Sequence, residues 1–336
     1  MSSKKFIVLS LFLPILLASG CTLPFAFEPP FDSNTPAGTG VIIEAFGGDM
    51  QDNVYYSGEE VKFSAKVKNT GSVKAENGFA ELLGLDYSWK SAGSSLSNLG
   101  ELFPEEEYCR YTNKKITLLP EDPQAGITGG ETVCTWRYIA PDVLPGLSIN
   151  AKPRVRFYYS YKTSTIKTVT LLSRDELIAL QHQGKSLPSE AYSQTNSPIS
   201  IGIETASPIR TYGSSVEFPI VITITNIGGG TPCYENSGNC KKPDGTSENE
   251  KWNKIDLKIT LPNGLAPAQG SCKFSGNTIT EQVVFVGADP QTLSCKIVGE
   301  VSQVGIDQKN IEATASYGYF IDKSSEVVVY PSTKPS

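Results

Sequence analysis

Val61-Lys62-Phe63-Ser64-Ala65-Lys66-Val67-Lys68-Asn69-Thr70-Gly71 is the stretch on which the fold turns. Val61, Phe63, Ala65 and Val67 alternate with Lys62, Ser64, Lys66 and Lys68, the period of a strand packed on one face and wet on the other. Asn69 to Gly71 then predicts a tight turn, for which Asn and Gly supply left-handed backbone angles.

The same pattern returns later in the chain. Val216, Phe218, Ile220, Ile222 and Ile224 lead to Asn226-Ile227-Gly228, and Tyr56-Ser57-Gly58 and Tyr212-Gly213-Ser214 precede the two runs. The second run is two residues longer, an extension that keeps every side chain on its face. Val41 to Glu44 and Ile199 to Glu204 open the two repeats. Ile149 to Leu171 and Ile311 to Tyr330 close them. Short strands separated by Gly/Pro/Asn turns predict antiparallel sandwiches. The expected fold class is all-β: two tandem immunoglobulin-like antiparallel β-sandwiches, residues 38–172 and 198–331, with a short tail at 332–336. They are joined by a linker, 173–197, in which Ser173 and Glu176 suit the start of a short helix.

Val67-Lys68-Asn69-Thr70-Gly71 and Ile224-Thr225-Asn226-Ile227-Gly228 resemble the strand and turn of CARDB-type and related immunoglobulin-like repeats of archaeal and bacterial surface proteins. The resemblance implies an extracellular adhesion or spacer role and brings no catalytic residue with it. Cysteines are not part of that family's usual pattern.

The N-terminus reads as an export signal, 1–20, with Lys4 and Lys5 before an apolar run from Phe6 to Leu17 that is too short to span a membrane. Leu17-Ala18-Ser19-Gly20-Cys21 resembles the lipobox of prokaryotic lipoproteins, which implies lipidation of Cys21 and a membrane partner through that anchor. An ordinary secretory signal that contains a cysteine is the alternative. Residues 21–37, with Pro24, Pro29, Pro30 and Pro36, read as an extended tether. The formal net charge is −6, and no basic cluster interleaved with aromatics appears, so nucleic acid is not an expected partner.

Of seven cysteines, setting Cys21 aside leaves an even set suited to disulfides in an exported chain. Cys109 and Cys134 enclose a loop much like that between Cys272 and Cys295, and both pairs precede the closing strands, so the repeat pairs them in that way. Cys233 and Cys240 then staple one Gly/Asn-rich loop. Structural zinc is disfavoured, because there is no C-x-x-C pair and the one histidine is His182.

Chemistry is sparse. His182 falls in the linker with no Gly-x-Ser-x-Gly elbow to accompany it, so an enzyme is not expected. Glu105 to Glu107, Asp49 with Asp52, and Asp244 to Glu248 read as solvated loop acids with too few spaced oxygen ligands for calcium. No metal or cofactor is expected. Trp136, two residues after Cys134, is expected to pack on that disulfide. Trp89 and Trp252 flank long insertions and read either as exposed contact residues or as caps on a sandwich edge.

Binding is expected where the repeats differ, at 84–107 and 229–254, with Tyr234 and Trp252 as aromatic contacts beside the Cys233–Cys240 staple. The partner expected there is a surface protein or a glycan. A staple that only protects an exposed loop from proteolysis is the plainer alternative. The expected function is therefore a lipid-anchored structural or adhesion protein, the alternative being a solute- or glycan-binding accessory lipoprotein of a transporter or surface enzyme. The latter usually shows two α/β lobes, and this chain lacks the alternation of strands and helices that builds them.

Overall fold

The computed structural model describes residues 40–96, 102–103, 108–109, 116–122, 124–234, 240, 252–287, 289–300 and 305–332, with backbone alone at 93–96, 102–103 and 108–109. The first repeat contributes β1 (Val41–Gly47), β2 (Val54–Tyr56), β3 (Glu60–Asn69), β4 (Ala75–Leu83), β5 (Lys90–Leu96), β6 (Leu102–Phe103), β7 (Tyr108–Cys109), β8 (Ile116–Leu118), β9 (Glu131–Ile139), β10 (Ile149–Ala151) and β11 (Arg154–Ser173). Helix α1 (Arg174–His182) and β12 (Tyr192–Gln194) follow. The second repeat adds β13 (Ile199–Thr205), β14 (Ile209–Tyr212), β15 (Ser215–Asn226), β16 (Thr231–Tyr234), β17 (Lys254–Thr260), β18 (Leu265–Pro267), β19 (Phe274–Ser275), β20 (Thr278–Val284), β21 (Gln291–Glu300), β22 (Ile306–Ser324) and β23 (Val327–Tyr330). The described chain is thus β throughout, apart from one helix.

β3 follows its alternation. Val61, Phe63, Ala65 and Val67 are fully buried, while Lys66 on the other face pairs with Glu44 and Glu131 at 2.9 and 3.0 Å. One sheet runs β1-β3-β9-β5-β6, and the second repeat sets β13, β15, β21 and β18 side by side in the same manner. The cysteines break the correspondence. Cys134 faces Ala65, four residues before Asn69, whereas Cys295 faces Ile220, six before Asn226. Cys295 therefore stands where the first repeat has Trp136, two places along on the same face. Trp136 itself is buried and lies opposite Phe63.

The turn after β3 does not use left-handed angles at Asn69 or Gly71, nor does its counterpart at Asn226 or Gly228; none of the four has positive φ. The buried Asn69 side chain holds the turn instead. Its amide donates to the carbonyls of Val73 (2.8 Å) and Leu118 (3.1 Å), and its Oδ1 accepts the Gly71 N–H at 3.0 Å. Gly71 is required because a Cβ there would collide with Tyr161 Oη and the Asn196 carbonyl. In the second repeat Asn226 Nδ2 donates to the Gly230 carbonyl at 2.8 Å, and Tyr319 Oη donates to Asn226 Oδ1 at 2.6 Å.

β11 and β22 form the centre of the molecule. They pair antiparallel from Arg154↔Ser324 to Leu172↔Ile306, and β10 with β23 continues the ribbon from Ile149↔Val329 to Ala151↔Val327. Ser160 faces Gly318 at the midpoint, and the equivalent turn tyrosines, Tyr161 and Tyr319, lie on either side of it, so the repeats are related by an approximate two-fold axis there. Part of each long strand pairs within its own repeat, Arg154 to Ser160 of β11 with β4 and Glu312 to Phe320 of β22 with β17 and β16. The C-terminal end of β11 and the strand after β22 cross over. Leu171 to Ser173 pair with β14 of the second repeat, and β23 inserts between β10 and β2 of the first. Val169, Leu171, Val327 and Val329 are each 1% exposed or less in their adopted cores. Residues 36–336 accordingly make one compact unit.

The segment between the repeats is bound along β11. Ser173 caps α1 by accepting the Glu176 N–H at 3.2 Å, Glu190 accepts the Thr170 N–H at 2.9 Å and pairs with Lys167 at 3.2 Å, and β12 adds to β11 at Thr165 to Lys167.

Candidate functional site

The two insertions that distinguish the repeats start and end on the same sheet, although β5 and β6 within the first belong to the β1-β3-β9 sheet. The first leaves after β4 and returns at β7, which pairs with β4 at Ala80 and Glu81. The second interrupts the strand beside β22, leaving at β16 and returning at β17. Across this sheet the order is β7-β4-β11-β22-β16, so the insertions flank the central pair, roughly 20 Å apart at about 4.8 Å per strand.

Between them the outer face of the sheet carries two rows of side chains. Ladder register puts Phe79, Tyr158 and Phe320 abreast, and Glu81, Arg156 and Asp322 abreast in the next row. Phe79 stacks on Tyr158 at 4.6 Å between centroids, and Tyr158 meets Phe320 at 5.6 Å. Arg156 donates to both Asp322 oxygens at 2.7 Å and lies over the Phe320 ring, 4.2 Å from its centroid. Burial works against the guanidinium charge, but the Asp322 carboxylate outweighs it and holds the proton more firmly than usual. Burial, then the Glu81 charge, raises the Tyr158 phenol, whose hydroxyl donates to Glu81 at 3.2 Å.

The second insertion is pinned onto these rows. Cys233 and Cys240 form a disulfide with Cα atoms 5.4 Å apart, and both are fully buried. Trp252 bridges to Cys233, donates its indole N–H to the Cys240 carbonyl at 3.2 Å, and packs on Phe320 at 4.9 Å with Arg156 5.5 Å from its ring. Trp252 is thus an anchor at the base of the loop. Tyr234, half-buried in β16, faces Tyr317 across the ladder.

Trp89 does not join this surface. It is 5% exposed and packs 6.0 Å from Phe63, immediately before β5, among the buried residues of the first repeat. Cys272 and Cys295 are bonded, with Cα atoms 5.8 Å apart. Cys134 is disulfide-bonded as well, while the side chain of Cys109 lies outside the described residues. So do Cys21, Glu105 to Glu107 and Asp244 to Glu248. Asp49 accepts hydrogen bonds from Tyr55 Oη (3.0 Å) and the Lys62 N–H (3.3 Å), and Asp52 accepts the Val54 N–H, which makes them turn-formers. His182 is exposed in the last turn of α1.

Among the described residues no group of three or more His, Cys, Asp or Glu could hold a metal ion, and no helix is long and apolar enough to cross a membrane. A cleft of about 230 Å³, lined by Val41, Ile43, Gly228, Ile321 and Lys323 among others, is smaller than usual small-molecule sites. The ammonium of Lys323 there is committed to the carbonyls of Ile43 and Glu44. The observed disulfides fit an oxidising, extracytoplasmic setting.

No protein-family model matches this chain. No curated protein matches it either. Among solved structures it is similar to the secreted serine protease VesC from Vibrio cholerae, at 8% identity over 81% of this chain and 48% of that one, with a TM-score of 0.19. The chain therefore spans about half the length of that protease. It is also similar to BspA_C_mut, at 8% identity over 85% of this chain and 96% of that one, with a TM-score of 0.16. Neither likeness is close enough to carry chemistry across.

The outer-face rows carry a signal in the sequence. Phe157-Tyr158-Tyr159 and Tyr319-Phe320-Ile321 abandon the alternation seen in β3, and apolar residues on successive positions mark a strand covered on both faces.

Proposed function

We propose that this chain is a lipid-anchored extracellular contact protein, held at the membrane through Cys21 and displaying two immunoglobulin-like units of CARDB type for attachment to a surface protein or glycan. The observation that carries this reading is that both divergent insertions start and end on strands of one sheet, β4 and β7 on one side of β11 and β22, and β16 and β17 on the other. Shared positions build the common scaffold, and the segments free to diverge are rooted at the two margins of one rigid base. The disulfide and Trp252 support the same reading, since a loop fixed at its base loses less entropy on docking. The reading assigns no catalytic step to the chain.

Attachment to cells or matrix, measured together with glycan-array and pull-down binding, tests it. Replacing residues 235–239 and 241–251 by Gly/Ser segments, with Cys233, Cys240 and Trp252 kept, is expected to abolish attachment and leave the melting temperature unchanged. Attachment that survives the replacement refutes the contact role of the loop. Intact-mass analysis is expected to find a diacylglyceryl adduct on a chain beginning at Cys21, lost in Cys21→Ser; an unmodified N-terminus elsewhere removes the anchor.

A further inference from the structure

Sheet edges expose unpaired backbone groups, and folded proteins guard them. Two edges here are guarded by side chains. On β1, Lys323 donates to the carbonyls of Ile43 and Glu44 at 3.1 and 2.7 Å. On β13, Thr163 Oγ1 donates to the Ile199 carbonyl at 3.1 Å, while Thr165 Oγ1 and Tyr192 Oη donate to that of Ile201 at 2.9 and 3.2 Å. The β18 edge is three residues long and ends on Pro267.

β20 differs. Its inner side pairs with β17 along its whole length. Its outer side meets β19 only at Thr278 and Ile279, with one further bond from the Thr280 N–H to Lys273. Beyond that point run Glu281-Gln282-Val283-Val284-Phe285-Val286, a segment with no Pro, Lys or Gly and strong strand preference. The Phe285 N–H points inward, donating to the Asn253 carbonyl at 2.7 Å. Strand alternation therefore turns the N–H and C=O groups of Gln282, Val284 and Val286 outward. No described partner meets them. Val283 and Phe285 are buried in the core, while Val284 is 44% and Val286 69% exposed.

We propose that this edge is a self-association site, where a second copy of the chain adds its own β20 antiparallel about a two-fold axis at Val284. The open window fixes the axis. β19 blocks it before Glu281, and Gly287, at φ 64°, turns the chain away after Val286, which leaves Val284 at the midpoint. In that register Val284 faces Val284 of the second copy, Gln282 faces Val286, and Val283 faces Phe285. Glu281 falls opposite the turn glycine, so no like charges oppose one another. A symmetric pairing of this kind is self-complementary and closes at two chains. It joins the two sheets edge to edge and gives the outward groups of Gln282, Val284 and Val286 the partners that no described residue supplies.

Sedimentation velocity of the full chain in a non-denaturing detergent, run from micromolar to submillimolar concentration, tests the site. The detergent keeps the N-terminal anchor from driving association. The wild type is expected to show a monomer–dimer equilibrium. Val284→Lys sets two ammonium groups opposite each other on the axis and is expected to raise the dissociation constant about tenfold or more, with an unchanged melting temperature because the side chain is half exposed. Opposed residues in a hydrogen-bonded antiparallel pair have Cα atoms about 5.5 Å apart, within disulfide reach. Val284→Cys is therefore expected to give a disulfide-linked dimer on mild oxidation, above the background that Cys21 sets in the wild type, whereas Val286→Cys, facing Gln282, links far less. A wild type that stays monomeric throughout, a dimer indifferent to Val284→Lys, or equal linking at positions 284 and 286 would each overturn the proposal. So would an apolar strand peptide of another sequence that binds a monomeric chain at this edge.

Discussion

Tyr159 and Tyr317 occupy equivalent places beside the two-fold axis, both fully buried, yet their hydroxyls fare differently. Tyr317 Oη shares a hydrogen bond with Thr163 at 2.8 Å and accepts the Ile199 N–H at 3.3 Å. Tyr159 Oη has no side-chain partner and only the approach of the Val41 N–H, in poor geometry, because the place that Thr163 holds in one half is taken by Ile321 in the other. Burial raises both phenols well above their ordinary range. A buried hydroxyl that is poorly bonded costs stability, and removal of one partner from a made bond costs about 1–3 kcal/mol. Tyr159→Phe is therefore expected to be neutral or stabilising, and Tyr317→Phe to destabilise by about that amount, as read from urea midpoints at constant m-value. Equal losses in the two variants would refute the assignment. The turn asparagines show how a correct residue can be read for the wrong reason. Asn69 and Gly71 do mark a turn, but the sequence does not disclose that hydrogen bonding and close approach, rather than backbone handedness, demand them.

At the scale of elements, the connection between the repeats gains its order from β11. Glu190 is the latch, bonded to the Thr170 N–H and Lys167. Burial acts to raise its pKa, but the hydrogen bonds from Ser207 and Thr170, with Lys167, overcome that and leave it below the usual value of 4.5. A carboxylate depressed in the folded state adds stability above its unfolded pKa and loses it as pH falls through the folded value. Proteolysis within residues 183–188 is therefore expected to accelerate as pH falls below the usual glutamate range, and Glu190→Gln is expected to be susceptible already at neutral pH with much of that pH dependence gone. A wild-type rate flat across this range would contradict the latch. The cysteines belong to the same scale. Their similar spacings suggested equivalent bridges, but ladder register sets Cys295 at the position of Trp136. Spacing along a chain does not report which residue of the neighbouring strand is faced.

Over the whole molecule the exchanged strands set the cooperativity. β23 completes the packing of the first repeat and the end of β11 that of the second, so neither repeat holds its own core alone. A specific protease site placed at residues 184–187, all but Leu187 exposed, is expected to yield two fragments that co-elute under native conditions and part only in denaturant. Calorimetry of the uncut chain is expected to show one transition. Fragments that separate natively, or two independent transitions, would refute the exchange. The all-β class, the repeat, the β3 alternation and the helix start at Ser173 were legible from sequence, because side-chain period and capping chemistry act within a few residues. The run Phe157-Tyr158-Tyr159 also signalled that β11 is covered on both faces. Which element covers it, which repeat receives each closing strand, and that Trp89 turns inward while Trp252 anchors a loop were not legible. Those outcomes depend on contacts between residues from a dozen to more than a hundred positions apart, where local preference is silent and the burial of shared apolar surface decides.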